Sequence, residues 1–93
     1  MNFTNEELKE VEELSGHFFS IEEIAIFLNK APQQLKKLIR QKNNEFYIHL
    51  MRGQLKAEYE VRKVILLQAK RGSSVAQKDI LQLIKSTRLK DLR

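Results

Sequence analysis

The stretch Ser20-Ile21-Glu22-Glu23-Ile24-Ala25-Ile26-Phe27-Leu28-Asn29-Lys30-Ala31-Pro32-Gln33-Gln34-Leu35-Lys36-Lys37-Leu38-Ile39-Arg40 holds two helix starts and one stop within twenty-one residues. Ser20 with Glu23 is a capping box, in which the hydroxyl accepts an orphan backbone N–H and the carboxylate three residues on reaches back. Asn29 ends that helix, because asparagine tolerates the left-handed turn conformation. Pro32 suits the first position of the next helix, where its missing N–H costs nothing. Ile24 and Leu28 form an apolar pair, Ala25 is the small residue that lets two helices approach, and Leu35 and Leu38 close the crossing from the second helix, with Ile39 also inward. These are the requirements of a helix-turn-helix over residues 21–40. Lys30, just after the turn, and Ala31, at the cap position, are departures from the usual pattern.

Working outward, Thr4 and Glu7 repeat the capping box and predict a first helix from Asn5 to Ser15, with Leu8, Val11 and Leu14 along one stripe. Gly16 is expected as its left-handed stop, with Phe18 and Phe19 filling the core. After the polar break Lys42-Asn43-Asn44, the proline-free run from about Glu45 to Arg71 predicts one long helix stopped by Gly72. Gly53 inside it marks either a close helix crossing or a bend. Ser74 with Gln77 predicts the cap of a last helix, carrying Ala76, Ile80, Leu83 and Ile84 on its apolar face before a basic tail. The expected fold is all-α and one compact unit overall: a helix-turn-helix three-helix bundle over 1–44, followed by a hairpin of a long and a shorter helix over 45–93.

Charge placement points to a partner. Residues 1–23 hold seven glutamates against Lys9, a net of −6, which leaves +11 on the other seventy residues. Between Lys30 and Lys42 there are five cations and no acid. In a helix-turn-helix the second helix enters the major groove, where glutamine pairs with adenine and arginine or lysine grips guanine or phosphate. The candidate DNA-binding residues are therefore Lys30, Gln33, Gln34, Lys36, Lys37, Arg40 and Lys42, and the expected partner is double-stranded DNA. The apolar residues of the long helix cover more of its circumference than one core stripe requires. They face either another copy of the chain, giving a homo-oligomer, or two neighbouring elements of the same chain.

Other chemistry finds little support. There is no cysteine, so neither a disulfide framework nor a thiolate metal site is expected. His17 and His49 lack the spacing of a metal pair, and Ser20 is accounted for as a cap rather than a nucleophile. Three scattered glycines do not make a phosphate-cradling loop. No catalytic residue, cofactor or metal is expected, and the chain reads as a non-enzyme. With no targeting signature and no apolar run of ~20 residues, the expectation is a soluble cytoplasmic protein without a membrane partner.

The helix-turn-helix, together with Arg52-Gly53-Gln54-Leu55-Lys56-Ala57-Glu58, Val61-Arg62-Lys63 and Ala69-Lys70-Arg71-Gly72-Ser73-Ser74-Val75-Ala76-Gln77, resembles the small-terminase-like proteins of tailed bacteriophages and prophages. The resemblance covers most of the chain. It implies a DNA-recognition subunit of a packaging motor in the bacterial host cytoplasm. Such a subunit assembles as a ring through the helical hairpin and hands DNA to a large terminase subunit that bears the ATPase and nuclease. Longer members carry a C-terminal docking segment for that large subunit, whose counterpart here would be absent or lie elsewhere. Two other readings stand beside this one: a small transcriptional regulator using the same motif, and a helical protein-interaction module without nucleic acid.

Overall fold

The computed structural model describes residues 2–91, with side chains to Thr87; the basic tail expected after the last helix falls mainly outside the described side chains. The chain is all-helical. In order, the elements are α1 (Asn5–Gly16), α2 (Ile21–Leu28), α3 (Pro32–Leu38), α4 (Glu45–Lys70) and α5 (Ser74–Asp91).

The helix starts follow local chemistry. Thr4 Oγ1 accepts the Glu7 N–H at 3.1 Å, and Glu7 Oε1 accepts the Thr4 N–H at 2.9 Å. Ser20 and Glu23 repeat this with the same two distances. Asn44 begins α4 by accepting the Phe46 N–H at 2.8 Å on its side-chain oxygen. Pro32 occupies the first turn of α3, as expected, and Ala31 offers no side-chain cap.

Two helix ends also behave as read. Asn29 is left-handed (φ 56°), and the Lys30 N–H reaches back to the Ala25 carbonyl at 2.9 Å. Gly72 is left-handed (φ 99°), and the Ser73 N–H returns to the Gln68 carbonyl at 3.1 Å. The bond from the residue after the left-handed one to a carbonyl five residues back satisfies acceptors that a helix end otherwise leaves open.

Three local expectations are corrected. α1 continues through Gly16, and the left-handed position belongs to Phe18 (φ 62°), with the Phe19 N–H bonded to the Leu14 carbonyl at 3.2 Å. Phe18 is consequently turned out and 61% exposed, while Phe19 alone packs on the core. The cap of α5 is Ser73, whose Oγ accepts the Ala76 N–H at 3.3 Å, and the Gln77 side chain donates to the Ala69 carbonyl instead of reaching back. Finally, α3 ends at Leu38 and Arg40 lies in the following turn, its N–H bonded to the Lys37 carbonyl at 3.3 Å.

The chain divides into two compact units, residues 1–58 and 59–93. The sequence suggested one compact unit overall, with its two regions meeting at 44/45. The difference arises because Phe46 and Leu50, on the first turns of α4, join Val11, Leu14, Ile24, Ala25, Leu28 and Leu35 in one buried cluster. The first unit thus has four helical segments around its core. In the second unit, among the described side chains, Ala76 is the one buried residue.

Gly53 marks a crossing. A Cβ built on it would overlap Ser15 Oγ and the Glu12 carbonyl oxygen and lie 2.9 Å from the carbonyl carbon, so α1 and α4 meet backbone to backbone there. Around this contact the Glu12 carboxylate is held by a row of α4 side chains spaced about one helical turn apart. His49 Nδ1 donates to Oε2, Lys56 Nζ donates to Oε1 at 3.2 Å, and Arg52 Nη1 lies 3.6 Å from Oε2.

Burial at the crossing pushes the Glu12 carboxyl up, but the hydrogen bonds from His49 and Lys56 and the Lys56 charge outweigh it. Its pKa lies below the ordinary 4.5. A carboxyl whose folded-state pKa is below its unfolded value stabilises the fold above the unfolded value and loses that contribution as the pH falls through the folded one. The stability gap between the wild type and Glu12→Gln should therefore shrink as the pH falls below about 4.5. Thermal melts at several pH values measure it; a gap unchanged by acid would contradict this ionic role.

Candidate nucleic-acid interface

The interface is built on the α2–α3 pair, which pack against each other while α1 packs on α2. Ile24, Ala25 and Leu28 bury one side of α2, and Leu35 is fully buried from α3. Leu38 and Ile39 pack on the same cluster as partly buried residues. With those side chains committed inward, the intervening positions of α3 and its following turn point to solvent. Gln33, Gln34, Lys36, Lys37, Arg40 and Lys42 are all exposed. Gln33, Lys36, Lys37 and Arg40 follow the i, i+3, i+4, i+7 spacing of one stripe, although Arg40 reaches it from just beyond the helix.

The cations of this segment are not equivalent. Lys30 is turned back against the N-terminal arm. Its ammonium lies 3.3 Å from Glu7 Oε2 and 5.2 Å from the centroid of the Phe3 ring, and its side chain is only 20% exposed. It therefore separates from the other six candidates. Lys36 pairs with Glu22 across the α2–α3 contact, both side chains being about half exposed. The hydrogen bond from Lys36 is the main reason the Glu22 carboxyl sits below its ordinary pKa, so Glu22 stays ionised beside the basic stripe. Lys37, Arg40 and Lys42 form no ion pair among the described residues. They carry the uncompensated charge of the interface.

Glu7 is likewise lowered, first by its bond with the Thr4 backbone and then by Lys30, with burial opposing. Sequence reasoning identified neither the Glu22–Lys36 nor the Glu7–Lys30 pair, since each joins different elements at no periodic spacing. It also did not assign Ile26 and Phe27, exposed on α2 at 77% and 55%. The signal for those was present, because four of the last five residues of α2 are large and apolar, more than one stripe can bury.

No family model matches this chain, and neither the curated proteins nor the solved structures give a match. The likeness to small terminases rests on the quoted residues alone. No helix among the described residues is long and apolar enough to cross a membrane.

Proposed function

We propose that the chain binds double-stranded DNA by using α2 and α3 as a helix-turn-helix, with α3 set in the major groove. The observation that carries this reading is the unpaired basic edge of Lys37, Arg40 and Lys42, continuous with exposed Gln33 and Gln34 on a two-turn helix anchored by Leu35. Lysine and arginine at that edge supply counterion-releasing phosphate contacts, and the two glutamines have the donor–acceptor pair that reads adenine. Within this reading, the terminase-like residues favour recognition of DNA for packaging.

Self-association is the second half of the proposal. Residues 59–93 are a helical pair too short to build a core of their own, and Val61, Val64, Leu66, Leu67, Val75, Leu81 and Ile84 are all exposed. Covering that surface with other copies would also link several weak DNA contacts into one tight one.

Replacing both Lys37 and Arg40 with alanine should weaken duplex binding by about 10–100-fold near 0.15 M salt and lower the log–log salt slope by about two. Fluorescence anisotropy across a salt series reads both quantities. Unchanged affinity and slope would overturn the assignment. Gln33→Ala and Gln34→Ala should alter preference among duplexes more than average affinity. In light scattering, a DNA-binding dimer would favour a regulator, a DNA-binding ring the packaging role, and a DNA-indifferent protein an interaction module.

A further inference from the structure

Two exposed apolar faces have no partner surface specified so far, and their electrical surroundings are opposite. On α2, Ile26 and Phe27 lie one turn beyond Glu22 and Glu23, at i+4 in each case, so acids border the apolar residues directly. The Phe27 ring meets Phe19 edge-on at 5.5 Å, which holds it in place on the surface. On α4, Val64, Leu66 and Leu67 form the floor of a groove edged by Lys63, Lys70 and Glu60. Part of each rim is already neutralised: Glu22 pairs with Lys36, and Lys63 lies 3.5 Å from Glu60. Glu23 and Lys70 are left without an ion-pair partner among the described residues.

We propose that the α2 face of one copy seats in the α4 groove of a second copy, head to tail. This rests on the self-association half of the reading above and specifies its surfaces. Charge selects this pairing over the symmetric ones. Residues 59–93 carry nine cations against three acids, so joining two grooves sets like charge on like, and joining two α2 faces does the same with their glutamates. Only the crossed pairing sets Glu23 against Lys70 while burying Ile26 and Phe27 on Val64 and Leu67. The lengths agree, since an eight-residue helix is about 12 Å long and residues 60–70 span about 15 Å of axis. Because the two surfaces differ, each copy has one of each free to engage another, and growth proceeds to a closed ring or an open filament.

Mixing two single variants tests this. Ile26→Lys spoils the α2 face and Val64→Lys spoils the groove, both at exposed helical positions, with circular dichroism checking the fold. Sedimentation velocity over a concentration series should show concentration-dependent association of the wild-type chain, weakened at least about tenfold in either variant. An equimolar mixture should recover a one-to-one heterodimer and stop there, because one intact face meets one intact groove and the remaining surfaces are both spoiled. Association unaffected by Ile26→Lys would mean groove-to-groove pairing and would overturn the proposal. So would a wild-type monomer at every concentration, as expected if the face docks within its own chain, or a mixture that stays monomeric. The Lys37→Ala, Arg40→Ala protein should associate as the wild type does, so loss of DNA binding and loss of assembly are read separately.

Discussion

Alanine at position 53 should cost the protein about 3 kcal/mol, among the largest losses available from one added methyl group. In an exposed helix the same change would stabilise by about 1 kcal/mol through helix propensity. Here the new Cβ meets backbone, because the Glu12 carbonyl group and Ser15 Oγ occupy its place. Ser15 is fully buried and its hydroxyl donates to that same Glu12 carbonyl at 3.1 Å, so neither neighbour moves without breaking α1. Separating the helices would also draw Glu12 away from His49, Arg52 and Lys56. Gly16→Ala is the control. Its Cβ would meet the Gly53 carbonyl oxygen at 3.3 Å, a contact relieved by a shift of a few tenths of an ångström, and a loss below about 1 kcal/mol is expected. Urea unfolding of the two variants measures the difference. A Gly53→Ala protein as stable as the wild type would mean that the helices do not cross at this distance.

Phe46→Ala should be the more damaging change, at about 3–5 kcal/mol. The ring is fully buried, and it stacks on Phe3 with centroids 5.5 Å apart and planes 17° from parallel. It connects the first turn of α4 to the N-terminal arm, on which Lys30 rests in turn. A chain of this length has a total stability of about 5–14 kcal/mol, so the loss would take much of it. Phe46→Leu keeps most of the volume and should lose less than about 1.5–2 kcal/mol. Because Leu35 of α3 shares the core, the alanine variant should lose DNA affinity in proportion to its unfolded fraction. Denaturant midpoints for the pair test this, and equal values for the two substitutions would show that ring volume is not what the core requires.

The two glycines in contact illustrate what was legible. Gly53 was readable as a crossing or a bend, and only the approach of α1 decided between them. Gly16 was readable as a helix stop, yet it serves as the other half of that crossing, and the left-handed turn falls to Phe18 two residues later. A small residue permits both roles, so its type alone does not distinguish them. The candidate site divides in the same way. Which side chains of α3 face outward followed from the spacing of Leu35, Leu38 and Ile39. Which of the outward cations remain unpaired did not, and Lys30 and Lys36 turned out to have acidic partners on α1 and α2.

The sequence by itself determined the five helices, most of their ends and the placement of charge along the chain. Capping boxes, Asn29, Pro32 and Gly72 act through hydrogen bonds and backbone preferences that reach only a few residues, so their effects are written in short strings of letters. The tertiary structure decided where the first compact unit ends, which glycine lets helices touch, and which lysines are free. Those outcomes depend on partners such as Glu12 and His49, thirty-seven residues apart. No periodicity links such positions; packing of the buried faces brings them together, and the long polar side chains then pair with whatever charge lies within reach.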